Sequence, residues 1–124
     1  MSDQTKNAAV TFLTMASSGD VDAAYSKFIG DGFRHHNPFF EGSAESLQAA
    51  MKENAKQNPA KTMEVKRVIT EGDLVVTHSH VRQNPNTLGA AVVHIFRFEN
   101  GRIVELWDLG QPIPEQPLNN NGMF

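Results

Sequence analysis

The hydrophobic pattern of this 124-residue chain changes near Lys61, and that change constrains the fold more than any other feature. From Lys61 onward the chain contains four short runs of strand-forming residues, many with alternating polarity: MEVKRVIT, LVVTHSHV, AAVVHIFRF and RIVELWDL. Between the runs lie segments rich in Gly, Asn, Asp and Pro, which favour turns. Four strands joined in this way predict an antiparallel meander.

The chain before Lys61 predicts helices instead. Residues 4–18 carry apolar side chains at helical spacing, and Gly19 is placed to end that helix. Two further helices are predicted over VDAAYSKFI, capped by Asp20, and LQAAMKENAKQ, capped by Ser43. Three helices followed by a meander predict an α+β domain, with the helices packed on one face of a curved sheet.

The domain is expected to comprise residues 1–111. Residues 112–124 contain three prolines and three consecutive asparagines, a composition that suits neither a helix nor a central strand. We therefore predict a C-terminal tail outside the regular fold.

Composition excludes several classes of function. The net charge is −3, without a run of Lys or Arg, which argues against nucleic acid or an anionic membrane as the main partner. The chain has no cysteine, so disulfides and zinc–thiolate sites are excluded. No secretory signal pattern and no membrane-length apolar run are present. We expect a cytoplasmic domain.

The hairpin around Glu99-Asn100-Gly101 can close in two ways. A two-residue Asn-Gly turn pairs Glu99 with Arg102 but places a carboxylate opposite Phe96. A three-residue loop with a bulge at Gly101 pairs Phe98 with Arg102, and it gathers Phe96, His94 and Asp108 on one face. We favour the bulged loop, which sets His94 opposite Leu106.

For the preceding hairpin, a symmetric loop around QNPNTLG sets His78 opposite His94 and His80 opposite Val92. One sheet face then carries the residues His78, His80, Val92, His94, Phe96 and Asp108, and polar groups that converge in an apolar concavity are typical of a ligand pocket. A slip of one residue would move His78 and His80 to the other face. That other face, with Val75, Val93, Ile95 and Trp107, is too apolar to remain in water, and we expect it to form a homodimer interface.

Three segments, FRHHNPFFEG, HIFRFENGRIVELWD and QPIPE…NNNGMF, resemble the SnoaL-like polyketide cyclases of the nuclear-transport-factor-two-like superfamily. The resemblance covers nearly the whole chain. It implies a cone-shaped, cystatin-like half-barrel with three helices on the concave face of a mixed sheet, a dimer through the outer face, and neither metal nor cofactor.

The resemblance also suggests roles for individual residues. In the related ketosteroid isomerases the general base is an Asp before a Pro, at the position of Asn37, and an oxyanion-hole Asp lies at the position of His94. Because Asn37 cannot abstract a proton, the chain does not look like a steroid isomerase. The cyclases use an acid from the last strand, for which the candidates here are Asp108 and the position of Gln111.

We therefore predict Asp108 as the acid/base and His36 or His94 as its partner, since such chemistry needs a base and a hydrogen-bond donor. His36, rather than the adjacent His35, is expected to face the pocket. The ligand-binding candidates are Asn37, His78, His80, Phe96 and Gln111. A metal site built on His78 and His80 is the less favoured interpretation.

Two hypotheses for function follow. In the first, the domain is a cofactor-independent enzyme of the lyase or isomerase type that acts on a small carbonyl compound. In the second, it is a small-molecule-binding dimer without catalysis, which the amides at positions 37 and 111 favour.

Overall fold

The fold is described by a computed structural model that covers residues 2–124. The elements in chain order are α1 (Ser2–Ser17), α2 (Val21–Phe28), β1 (Ile29–His35), α3 (Ala44–Gln57), β2 (Thr62–Glu71), β3 (Leu74–Arg82), β4 (Ala90–Glu99) and β5 (Arg102–Pro112). Within the described residues, no helix combines the length and the apolar character needed to cross a membrane.

The strands form one sheet in the order β1-β5-β4-β3-β2, with β1 parallel to β5 and the other neighbours antiparallel. The predicted α+β class, with three helices and a mixed, open sheet, is confirmed. Beyond the predicted meander, the segment after α2 becomes the edge strand β1. Residues 113–124 form no helix or strand.

The helix ends follow local chemistry. Gly19 has φ of 101°, a left-handed conformation that glycine adopts without strain, and α1 ends just before it. Ser43 caps α3 as predicted, because its Oγ accepts a hydrogen bond of 3.2 Å from the Ser46 N–H. Asp20 occupies the cap position of α2, but its side chain makes no capping bond.

A cluster of apolar side chains joins the helices to one face of the sheet. The Phe12 ring lies 5.5 Å from Tyr25 and meets Phe96 edge-on at 6.3 Å. Both Phe12 and Phe96 are fully buried, and burial of a large apolar side chain contributes roughly 1.5–3 kcal/mol. This cluster fixes which sheet face is the inner one.

The register of the β4–β5 hairpin differs from the predicted one. Asn100 (φ 51°) and Gly101 (φ 79°) form a two-residue turn that pairs Glu99 with Arg102. A bulge follows, so that the next pairs are Arg97 with Glu105 and His94 with Asp108. The predicted three-residue loop is therefore wrong. The bulge removes the objection to the Asn-Gly turn, because it sets Glu105 opposite an arginine instead of Phe96.

The β3–β4 register is also different, by one residue. Thr77 pairs with His94, and His78 pairs with Val93. The predicted pairing of His78 with His94 is wrong, and the slip turns both His78 and His80 to the outer face. Val75, predicted on the outer face, instead lies opposite Phe96 in the core and is fully buried.

The entry to β4 depends on Gly89. Its φ is +81°, and a Cβ placed there would lie 2.1 Å from the Val81 carbonyl oxygen. Gly89→Ala should therefore lower the free energy of unfolding by roughly 3 kcal/mol or more, through backbone strain and a clash. Gly72→Ala is the matched control, because its φ is +58° but nothing lies within 4 Å of the added Cβ. We expect the control to lose only roughly 1–2 kcal/mol in urea unfolding; equal losses would contradict the clash.

Candidate functional site

A cavity of about 340 Å³ lies between α1, α3 and the inner face of the sheet, a size within the range of small-molecule sites. Its helical wall is largely apolar, and polar groups come from the strands, the loop after β1 and the end of α3. Its lining residues are Leu13, Ala16, Ser17, Asn37, Phe40, Leu47, Ala50, Met51, Asn54, Lys61, Met63, Gln83, His94 and Asp108.

His94 supplies a buried imidazole to this cavity. The residue is 7% exposed, and its Nδ1 atom has no hydrogen-bond partner among the described residues. Burial lowers the pKa of His94 from 6.5 to about 4, against the opposing effect of the Asp108 charge. The ring is therefore neutral at pH 7, and its Nδ1 atom remains unpaired.

Asp108 faces His94 directly across the β4–β5 ladder. Asn37 donates from Nδ2 to the Oδ2 of Asp108 over 3.2 Å. The Asn37 side chain also accepts from the Phe39 N–H over 3.0 Å, which fixes the loop after β1. Asn37 and Asp108 also line a second depression of about 360 Å³, so both residues border two hollows.

His35 ends β1 and His36 follows it, and the two side chains face opposite sides of the sheet, as alternation requires. The inner side chain is that of His35, whereas His36 was predicted to be the inner one. His35 is buried, with its Nδ1 accepting from the Asn37 N–H over 3.1 Å and its Nε2 bonded to the Glu41 carbonyl oxygen. His36 lies on the outer face, where its ring stacks on Trp107 at 4.8 Å. The predicted place of His36 in the pocket is therefore wrong. The cause is the parallel register of β1, which sets Arg34 beside Glu105 on the outer face.

Glu105 is the common hydrogen-bond acceptor for three side chains on the outer face. It accepts hydrogen bonds from His36 (2.6 Å), Arg34 (3.0 Å) and Arg97 (2.9 Å). The hydrogen bond from His36, followed by that from Arg34, lowers the pKa of Glu105 to about 2. His36 thus belongs to the hydrogen-bonded cluster around Glu105 and does not line the cavity.

Four other predicted ligand contacts fall outside the cavity. His78 and His80 lie on the outer face, where the C-terminal Phe124 packs on both rings at 5.3 and 4.9 Å. Gln111 pairs with Ala91, also on that face, since it lies three residues beyond Asp108 on the same strand. Phe96 has the predicted inner orientation but is fully buried in the core.

The structure adds two cavity residues that the sequence interpretation missed. Lys61 lies just before β2, two residues from Met63, and Gln83 follows β3. The pairing of Thr62 with Arg82 makes Lys61 and Gln83 the next opposed positions. Strand alternation from Met63 could have placed Lys61 on the inner face.

No group of three or more His, Cys, Asp or Glu side chains among residues 2–124 is arranged to hold a metal ion.

Comparison with known proteins identifies a family. The SnoaL-like domain matches residues 9–106. No curated protein matches the sequence. Among solved structures, a SnoaL-like protein of unknown function from Burkholderia thailandensis has a TM-score of 0.74 at 17% identity, covering 90% of this chain and 98% of that one. These values show a shared fold.

Two further neighbours have names that suggest an activity. AclR from Streptomyces galilaeus, a candidate hydroxylase, has a TM-score of 0.75 at 20% identity, with 94% of this chain and 90% of that chain covered. A candidate isomerase of the SnoaL-like family from Agrobacterium tumefaciens has a TM-score of 0.68 at 13% identity, with 86% and 97% covered. At these identities the likeness again shows the fold alone.

The buried His94 predicts an acid-sensitive fold. Its pKa is about 4 when folded and 6.5 ordinarily, so the unfolded chain binds more protons between these values. The free energy of unfolding should be highest above pH 6.5 and should fall, by on the order of 3 kcal/mol, as pH drops towards 4. Urea unfolding of His94→Gln should show little of this slope. His80→Gln, on the outer face, should retain it; a wild-type slope in His94→Gln would contradict the assignment.

Proposed function

The chain belongs to the SnoaL-like family, and from that premise we propose that its cavity binds a small carbonyl compound and transfers a proton on it. The observation that supports this most is the opposed pair of His94 and Asp108, both of which line one cavity. The names of the structural neighbours, a candidate hydroxylase and a candidate isomerase, indicate that the fold serves several reactions. The residues of this cavity must therefore define the chemistry.

In the proposed reaction Asp108 takes a proton from the carbon next to the carbonyl group and returns it at another position. The negative charge that develops on the carbonyl oxygen needs a hydrogen-bond donor. A neutral imidazole carries one N–H group, and His94 lines the cavity, so it can supply that donor. Asn37 orients the carboxylate through its bond to Oδ2. The same steps would serve an isomerisation or an intramolecular aldol condensation.

A second candidate function is ligand binding without turnover. It is favoured by the Asn37–Asp108 hydrogen bond, because that bond already occupies Oδ2 of the carboxylate with a neutral amide donor. Amides from Asn54 and Gln83 add further neutral polar groups to the cavity wall.

Asp108→Asn distinguishes the two candidates. A library of small carbonyl compounds would be screened by thermal shift, and the stabilising compounds would be tested by NMR for exchange of carbon-bound hydrogen in D₂O. Loss of the carboxylate should slow exchange by roughly 10²- to 10⁴-fold, since that is the usual contribution of a general base. Asp73→Asn, at the exposed β2–β3 turn, is the matched control and should exchange at the wild-type rate. Stabilising ligands without enzyme-dependent exchange would support binding alone.

We also propose that the protein forms a homodimer through the outer face of the sheet. Ile69, Val76, Ile95 and Trp107 follow one row across β2, β3, β4 and β5. Ile69 is 59% exposed, and Leu109 in the next row is 58% exposed. A contiguous apolar surface of this kind is characteristic of an interface.

Trp107→Glu should yield monomers in light scattering, because it would bury a carboxylate within that interface. Ala23→Glu adds the same charge to the exposed side of α2 and should leave the dimer intact. Circular dichroism would verify that both variants are folded. A folded Trp107→Glu dimer would rule out this interface.

A further inference from the structure

Lys61 brings a cation to the cavity. It is partly buried at the start of β2 and lines the cavity together with His94 and Asp108. Its Nζ donates to the amide oxygen Oδ1 of Asn54 over 2.8 Å. In the described part of the chain it forms no ion pair, and its side-chain hydrogen-bond partner is a neutral amide.

The two charged residues of the cavity lie in or next to strands that are not neighbours in the sheet. Lys61 lies just before β2 and Asp108 lies on β5, and the strands β3 and β4 separate β2 from β5 in the sheet. The two do not form an ion pair, although both line the same hollow. Opposite charges that are kept apart by an empty space leave room for a ligand between them.

Gln83 supports a polar subsite beside Lys61. The two residues continue the β2–β3 ladder as its next opposed positions. The Gln83 Oε1 atom is buried and has no hydrogen-bond partner among the described residues. The Lys61 ammonium group has three N–H donors and bonds to Asn54 with one of them, so donors remain for an acceptor on a ligand. The Gln83 oxygen is itself an acceptor and needs a donor, so it adds polarity to this end of the cavity without binding a carboxylate directly.

We infer that the cavity recognises a carbonyl compound that carries a carboxylate group, with Lys61 binding the carboxylate while the carbonyl lies between His94 and Asp108. This names the substrate class of the proposed function and rests on it. Lys61 is thereby a specificity-determining residue, and the ligand class is a small oxo acid.

Electrostatics agree with this geometry. Burial lowers the pKa of Lys61 below its ordinary 10.5, so the cavity wall penalises the charged amine. A bound carboxylate would reverse that effect, because an opposite charge nearby favours the ammonium form. The Lys61 charge also contributes to the low pKa of His94, which indicates that its field extends to the proposed reaction centre.

The inference can be tested without the natural ligand, by using benzoate and its neutral isostere benzamide as probes. Titration calorimetry on the wild-type protein should show that benzoate binds roughly 10- to 100-fold more tightly, as expected for a hydrogen bond to a charged group. Lys61→Met should abolish this preference, and Lys61→Arg should retain most of it. Lys56→Met, on the exposed side of α3, makes the same charge change outside the cavity and should behave as wild type.

A second measurement needs no substitution. NMR of the lysine side chains should show that saturating benzoate raises the pKa of Lys61, while benzamide leaves it unchanged. Equal affinity for the two probes in the wild-type protein, or a benzoate preference that survives Lys61→Met, would overturn the inference.

The two proposals can fail separately. If Lys61 governs the benzoate preference but Asp108→Asn retains full exchange activity, the anion subsite stands and the catalytic proposal falls. If Asp108→Asn loses exchange activity but Lys61→Met does not change the choice between oxo acids and their methyl esters, the catalytic proposal stands and the carboxylate assignment falls.

Discussion

The pairing of β4 with β5 is the constraint on which the site depends. A two-residue turn at Asn100-Gly101 starts the ladder, and a bulge immediately after it shifts the register by one residue. Without that extra residue, His94 would face Trp107 and Asp108 would turn away from the cavity. One bulged position thus brings the imidazole and the carboxylate together and, on the other face, sets Arg97 opposite Glu105. Bulges commonly re-aim side chains beside functional sites, and here the bulge does so on both faces of the sheet.

The sequence patterns predicted which helices and strands the fold contains better than they predicted the register in which the strands pair. The period change at Lys61 gave the α+β class, and the inner orientation of His94, Phe96 and Asp108 was correct although the favoured turn was wrong. The observed β4–β5 register differs from the favoured one by two residues. Because side chains alternate between the two faces of a strand, a shift of two residues leaves every side chain on the same face. For β3 the shift was one residue, and His78 and His80 moved to the outer face.

The pair His35-His36 shows a different limit of sequence reasoning. Alternation required the two rings to face opposite sides, but only the pairing of β1 with β5 determines which ring faces inward. That pairing is parallel and joins residues some seventy positions apart, so no local signal specifies it. Glu105 then stabilises the outcome, because it binds Arg34 and His36 on the outer face and leaves His35 to hold the Asn37 loop.

Buried polar groups have hydrogen-bond partners on the outer face of the sheet, but several lack them on the inner face. This difference is the strongest physical indication of function. On the outer face the carboxylate of Glu105 is bonded to three donors, which is how a folded chain usually accommodates a buried charge. On the inner face four buried side-chain atoms have no partner among the described residues: Thr77 Oγ1, Ser79 Oγ, Gln83 Oε1 and His94 Nδ1. Two of the four, those of Gln83 and His94, belong to residues that line the cavity. An unpaired buried polar atom costs roughly 1–3 kcal/mol, so the inner face is less stable than it could be. Such a cost is expected where the missing partner is a ligand.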